Sequence, residues 1–167
     1  MVLGAGTSVT SASLLVVVGA IVGLLPAVIV ERIRANDARL SRTRDLVLDR
    51  ATDFARAARR LRARSEAYRD DPSDVVLQSI VTAHEDLWVA FECLVVVAGI
   101  DVQEAAREVL HHAWSVRAQY VDGVDPRAER YPGTSPTDRL VASLRPYYVA
   151  VRRDLGVPEP DHMYVER

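Results

Sequence analysis

A long apolar run near the N-terminus constrains this chain more than any other feature of the sequence. Residues 13–30 are 18 consecutive positions without a charged side chain, and most of them are Val, Leu, Ile, Ala or Gly. A helix that crosses the hydrocarbon core of a bilayer needs about 17–25 such residues, because each adds ~1.5 Å of length. The run therefore predicts one transmembrane helix at residues 13–30, after a short extracytoplasmic segment at residues 1–12.

The charges that flank this run predict its orientation. Residues 31–44 contain five arginines, whereas residues 1–12 contain no charged side chain. Arginine-rich flanks stay on the cytoplasmic side. We therefore expect a single-pass protein of the cell membrane with its N-terminus outside and its C-terminal domain in the cytoplasm. A cleaved signal peptide fits less well, since the run has no basic residue before it and no small-residue cleavage site after it.

Small residues line one side of the predicted membrane helix. Gly19, Gly23 and Ala27 follow each other at four-residue steps, and such a stripe lets two membrane helices approach closely. We expect this stripe to support association of membrane helices. The first arginines after the helix, Arg32, Arg34 and Arg39, are expected to contact lipid headgroups, where an anionic surface attracts each by up to ~1 kcal/mol.

Charge is divided unevenly along the rest of the chain. Residues 31–69 hold 12 arginines and six acids, a net charge of +6, whereas residues 70–167 hold nine arginines and 17 acids, a net charge of −8. The basic segment does not favour nucleic-acid binding, because its arginines alternate with acids and have no aromatic neighbours arranged for stacking. The lone Cys93 lies in an apolar run, so we expect a buried, unreactive thiol.

A seven-residue repeat marks the first helix after the membrane. Its apolar positions are Ile33, Leu40, Val47, Phe54, Leu61 and Tyr68, and the companion positions are Asp37, Arg44, Ala51, Ala58 and Ser65. One interpretation is an inter-chain coiled coil, and the other is a long arm of an intrachain bundle. We favour the bundle, because small companions suit close packing against other helices.

Three more helices are predicted after this one. Ser73 or Asp74 is expected to cap the second helix, which ends at Gly99 in a left-handed conformation. A capping box at residues 101–104 is expected to start the third helix. Ser135 and the following proline mark the start of the fourth, which Pro146 is expected to kink or break. The prediction is an all-α protein with a cytoplasmic bundle of about four antiparallel helices at residues 31–156 and a flexible tail at 157–167.

The best candidate for chemistry is a group of acids and histidines. Glu104, Glu108 and His111 are spaced by three and four residues on the third helix, and His84 lies on the second. The Glu-x-x-His step at Glu108 is the unit by which di-metal carboxylate bundles bind metal. A solvated polar face explains the same pattern and is the expectation here, because a di-metal site needs two such steps. For His84 we expect a buried histidine with a hydrogen-bond partner.

The sequence contains no decisive catalytic motif. It has no phosphate-binding loop, no nucleophile elbow and no zinc-ligand spacing. We expect no cofactor and no small-molecule substrate, Trp88 and Trp114 in helix contacts, and a plain connector at residues 127–134. The favoured hypothesis is a non-enzymatic membrane-anchored protein that acts through a protein partner or self-association. The alternatives are a metal-binding bundle enzyme and a membrane organiser that binds anionic lipid.

Overall fold

Four helices make up the part of the chain that is described by the structure, a computed structural model covering residues 41–158. Helix α1 occupies residues 41–70, and it is followed by α2 (Asp74–Val95), α3 (Ile100–Val121) and α4 (Pro136–Asp154). A 3-10 turn at Ala128–Arg130 lies in the α3–α4 connection. No strand occurs in residues 41–158, so the predicted all-α bundle of four helices is confirmed for this range.

The sequence-based predictions for the membrane segment fall on other residues. The predicted transmembrane helix, its small-residue stripe at Gly19, Gly23 and Ala27, and the arginines Arg32, Arg34 and Arg39 lie outside the described residues. Within residues 41–158, none of the helices combines the length and the hydropathy that a bilayer span requires.

A seven-residue repeat on each helix builds the core. The fully buried side chains recur at this interval or close to it: Phe54 and Leu61 on α1; Ile80, Leu87 and Leu94 on α2; Val102, Val109 and Val116 on α3; Leu140 and Tyr147 on α4. A seven-residue spacing keeps one apolar stripe on the same side of a helix over several turns, so that side chains of neighbouring helices interdigitate at a shallow crossing angle.

Contacts between α1 and the other helices give the direction of the bundle. The Tyr147 hydroxyl donates to the carbonyl oxygen of Ala51 over 2.9 Å, and the hydroxyls of Ser65 and Thr137 lie 3.5 Å apart. From the first contact to the second the residue number on α1 rises and that on α4 falls, so these two helices are antiparallel. Because the companion positions Ala51, Ala58 and Ser65 are buried, α1 is an arm of the intrachain bundle, which is the interpretation that the sequence favoured. Of the other two companions, Arg44 is exposed and Asp37 lies outside the described residues.

The predicted starts of two helices are confirmed. Ser73 is the N-cap of α2, and its side chain accepts a hydrogen bond from the backbone N–H of Val76. Ser135 caps α4 in the same way through the N–H of Asp138, with Pro136 as the first helical residue. Each serine oxygen satisfies a backbone donor that has no partner inside its own helix.

Two predictions about helix ends were wrong. Gly99 has φ −66° and is the N-cap of α3 rather than a left-handed end of α2, so α3 begins at Ile100 and no capping box forms at residues 101–104. A Cβ at Gly99 would meet only the end of the exposed Asp154 side chain, which can move aside. Helix α4 continues through Pro146, so the predicted break does not occur. Pro146 is exposed, so water can reach the carbonyl oxygen that lacks its usual donor.

Candidate functional site

The carboxylate of Glu108 is the centre of a polar cluster at the end of the bundle where α3 leads into α4. Its Oε1 lies 2.9 Å from Nη2 of Arg127, 3.2 Å from Nε2 of His112 and 3.4 Å from the Tyr131 hydroxyl. Its Oε2 lies 3.4 Å from Nδ1 of His111. Glu108 and the two histidines are on consecutive turns of α3, whereas Arg127 and Tyr131 come from the connection. The carboxylate thus ties this connection to the helix.

A second ion pair completes the cluster from the side of α4. Both Nη2-to-oxygen distances from Arg139 to the Asp125 carboxylate are 2.8 Å, and Arg139 also donates to the carbonyl oxygen of Thr134 over 2.9 Å. The side chains of Arg139 and Asp125 are only 3% and 9% exposed. A charge-assisted pair of this geometry offsets the cost of removing both groups from water.

The ring of Tyr131 lies among three guanidinium groups. The Cζ atoms of Arg139, Arg127 and Arg130 are 5.1, 5.2 and 5.6 Å from its centroid, and the ring of His112 approaches edge-on at 5.2 Å. The negative face of an aromatic ring attracts cations at these distances. The tyrosine therefore relieves some of the repulsion among arginines that converge on one connection.

The cluster shifts the protonation equilibria of two of its members. Burial, followed by the charge of Arg127, lowers the pKa of His112 to about 4. Burial acts to raise the pKa of Glu108, but hydrogen bonds from Arg127 and His111 outweigh it and the pKa is lowered. At neutral pH the cluster therefore holds a neutral His112 beside an ionised Glu108, with Nε2 of the imidazole 3.2 Å from the carboxylate.

The structure separates the residues considered for metal binding. Glu104 is exposed on α3, and Glu108 pairs with Arg127 as well as with His111. Among residues 41–158, no group of three or more His, Cys, Asp and Glu side chains is arranged to hold a metal ion. A carboxylate already engaged by a guanidinium is a poor metal ligand, and no observation on the described residues favours the metal-binding alternative.

His84 lies apart from the Glu108 cluster. It is half-buried on α2, and its pKa is lowered by burial and by the charge of Arg117, against the opposing effect of Glu85. The expectation from the sequence was a buried histidine with a hydrogen-bond partner, and the side chain is only half-buried. A neutral imidazole at the edge of the α2–α3 contact fits a packing role.

The remaining members of the cluster were missed at the sequence level. Residues 127–134 were expected to be a plain connector, but Arg127 and Tyr131 anchor that connection to α3. Arg139 was not noticed, although it directly precedes the buried Leu140 on α4. An arginine next to a core position, with an acid in the preceding loop, is the signal that was available.

The outer side of α2 carries a second feature of interest. Five exposed residues lie in the C-terminal half of α2, in the turn that follows and at the first position of α3, and we call them the α2 apolar surface: Trp88, Val89, Cys93, Val96 and Ile100. The prediction that Cys93 is buried was therefore wrong, and Trp88, expected in a helix contact, is half exposed. The stripe of α2 that enters the core includes Ile80, Leu87 and Leu94. The residues of the α2 apolar surface lie outside this stripe.

Trp114 on α3 is also exposed, so its predicted place in a helix contact was wrong as well. It is preceded by the buried Ala113 and followed by the buried Ser115.

Comparison of the chain with models of known protein families, with curated proteins and with solved structures finds no match. The functional argument therefore rests on the geometry of this molecule. Two features of the described residues bear on it: the polar cluster, which fixes the α3–α4 connection, and the α2 apolar surface.

Proposed function

We propose that this protein is a membrane-anchored interaction protein whose helical bundle binds a partner protein through the α2 apolar surface. One observation carries the proposal. Trp88 is 50% exposed, and Val89, Val96 and Ile100 are 58, 83 and 62% exposed, at one end of the bundle. Large apolar side chains that cluster on a surface mark interaction sites, because covering them releases ordered water.

The charges of α2 define the kind of partner that fits. Residues Asp74–Val95 contain no arginine or lysine, whereas Glu85, Asp86 and Glu92 lie exposed on this helix. Two copies of α2 laid side by side would bring these acids together. We therefore propose a different protein as the partner, one that presents an apolar helix flanked by basic residues.

The anchor adds a second element to the proposal. A transmembrane helix at residues 13–30 would confine the bundle to the cytoplasmic face of the membrane and raise its local concentration for a partner in the same membrane. Contacts of Arg32, Arg34 and Arg39 with headgroups would add to this tethering. The alternative function, an organiser of anionic lipid, depends on these same arginines and stays a prediction.

The test compares two matched substitutions on α2. Val96 and Val75 are 83% and 81% exposed, but only Val96 belongs to the α2 apolar surface. Full-length protein with a C-terminal tag would be extracted from native membranes in a gentle detergent, and the co-purifying protein would be quantified. We expect Val96→Gln to weaken partner retention at least about fivefold, since a valine removed from an interface forfeits ~1–2 kcal/mol.

Val75→Gln is the control and should leave retention unchanged, and both variants should unfold at the temperature of the wild type by circular dichroism. Equal retention in all three proteins would contradict the proposed surface. A single species without any partner, carrying iron, manganese or zinc near one equivalent, would instead favour the metal-binding alternative. Metal analysis of the same eluate distinguishes these outcomes.

A further inference from the structure

An arginine-lined groove runs along the side of the bundle formed by α1 and α4. It has a volume of about 520 Å³. Its floor is apolar and includes Ala58, Leu140 and Leu144. Pockets of this size and character are typical of sites that bind a ligand or a short peptide segment. None of the lining residues belongs to α2, so binding in this groove is independent of the proposed function.

Four guanidinium groups surround this floor. Arg59 and Arg62 come from α1, Arg145 and Arg152 come from α4, and no acidic side chain is among the lining residues. Arg62 bonds to Glu66 over 2.8 Å beside the groove, and Arg59 donates to the Tyr148 hydroxyl over 2.8 Å. A low-dielectric floor between like charges concentrates a positive potential. The groove therefore suits a segment that combines acids with apolar side chains.

The chain itself supplies such a segment where the described residues end. Arg152, which lines the groove, donates through Nη2 to the carbonyl oxygen of Pro158, and its buried Nε has no hydrogen-bond partner among the described residues. The next nine residues are Glu159-Pro160-Asp161-His162-Met163-Tyr164-Val165-Glu166-Arg167. They combine three acids with three consecutive apolar residues, and so complement the arginines and the apolar floor of the groove.

We propose that residues 159–163 bind in the arginine-lined groove between α1 and α4. Glu159 and Asp161 pair with the groove arginines, and Met163 covers the floor at its Leu140 end. On this proposal the start of the segment predicted as a flexible tail is held against the bundle.

The dimensions of the groove agree with this occupant. From Arg152 back to Val141 the axis of α4 measures about 17 Å, at ~1.5 Å per residue. An extended chain from Pro158 to Met163 covers about the same distance, at ~3.3–3.6 Å per residue. Met163 therefore reaches Val141 only if the segment runs along the groove in an extended form.

Disulfide trapping in the full-length protein tests this path. In a Cys93→Ser background, Val141→Cys/Met163→Cys is compared with Gln119→Cys/Met163→Cys, whose exposed acceptor lies near the far end of α3. Mild oxidation in detergent is followed by mass spectrometry of the linked peptides. We expect the Val141 pair to form an intrachain disulfide at least about tenfold faster than the Gln119 pair, because binding holds its two thiols together.

The same pair tests the charge pairing. Glu159→Gln and Asp161→Asn, added together, keep the length and remove the negative charges of the bound residues. We expect them to slow the trapping of the Val141 pair about fivefold, since two exposed ion pairs of ~0.5 kcal/mol each are lost. High salt should have the same effect.

Two results would overturn the proposal. Equal trapping rates for the Val141 and Gln119 pairs would mean that the segment moves freely, and disulfides found only between chains would assign the groove to a second copy. If Val141→Cys destabilises the fold, the pair Val149→Cys/Pro160→Cys tests for the bound segment at the near end of the groove. Failure here leaves partner retention by the α2 apolar surface unaffected, so the two proposals fail separately.

Discussion

The α3–α4 connection and the α2 apolar surface reverse the usual distribution of residue types. Arg139 belongs to the most polar class of side chain and is 3% exposed, whereas Trp88 is 50% exposed. The difference lies in what each position offers. Arg139 meets the Asp125 carboxylate and the Thr134 carbonyl oxygen, and Trp88 follows the core residue Leu87 on a helix whose inner stripe is already filled. In this bundle, position on a helix and the available partners decide burial more than hydropathy does.

The largest effect should come from breaking the buried ion pair. Arg139→Ala would leave the Asp125 carboxylate, only 9% exposed, without its partner. We expect a loss of about 3–5 kcal/mol in the free energy of unfolding, because an uncompensated buried charge is costly. The measurement is chemical denaturation followed by far-ultraviolet circular dichroism.

Arg60→Ala is the matched control for that prediction. Arg60 pairs with Asp86 at 3.8 Å, and both side chains are more than half exposed. Water screens this pair, so its loss should cost no more than about 1 kcal/mol. Similar losses for the two arginine variants would mean that the buried pair does not stabilise the α3–α4 connection.

A smaller effect is expected from two neighbouring residues on α2. Leu87 is fully buried and Trp88 is half exposed. Leu87→Ala should lower the free energy of unfolding by about 3 kcal/mol, because it removes apolar contacts and leaves a cavity. Trp88→Ala should cost about 1 kcal/mol or less, since its outer half contacts solvent and its main partners are Phe91 and Glu92. Denaturation of both variants measures the contrast, and equal costs would place Trp88 in the core.

The smallest effect is a dependence of stability on pH through His112. An unfolded histidine binds a proton below about pH 6.5, whereas folded His112 does so only below about pH 4. The unfolded state therefore binds more protons between these values, and stability falls as the pH is lowered through this window. We expect His112 to account for about 2 kcal/mol of loss between about pH 7 and pH 5.

Denaturation of His112→Gln at both pH values checks this prediction, because the variant should lose most of that slope. His111→Gln serves as control, since its ring is exposed beside the same Glu108 carboxylate. The prediction fails if the two variants lose the same part of the slope.

Much of the fold followed from local patterns in the sequence. The serine caps of α2 and α4 and the buried repeat positions Val47, Phe54 and Leu61 of α1 each follow from spacing over a few residues, and each was found where predicted. The start of α3 was predicted wrongly, because Gly99 has φ −66° and is the N-cap of this helix without a side-chain hydrogen bond. Its backbone N–H donates to Asp154, 55 positions away, and local rules cannot detect such a contact.

The candidate site was recognised only in part. The Glu-x-x-His spacing at Glu108 indicated the correct turn of α3, but it suggested metal ligands rather than a carboxylate shared by Arg127, Tyr131 and His112. The two loop residues lie 19 and 23 positions away, and nothing in their own spacing indicates which carboxylate they approach.

The sequence by itself determined the all-α class, the number of helices after residue 41 and most of their ends, because hydrophobic period and capping act over one or two turns. It also carries the prediction of a membrane anchor at residues 13–30. The tertiary structure decided which polar residues are buried, which apolar ones are exposed and where a groove opens between α1 and α4. These features depend on how helices distant in sequence pack together, since a side chain is buried only when another element covers it.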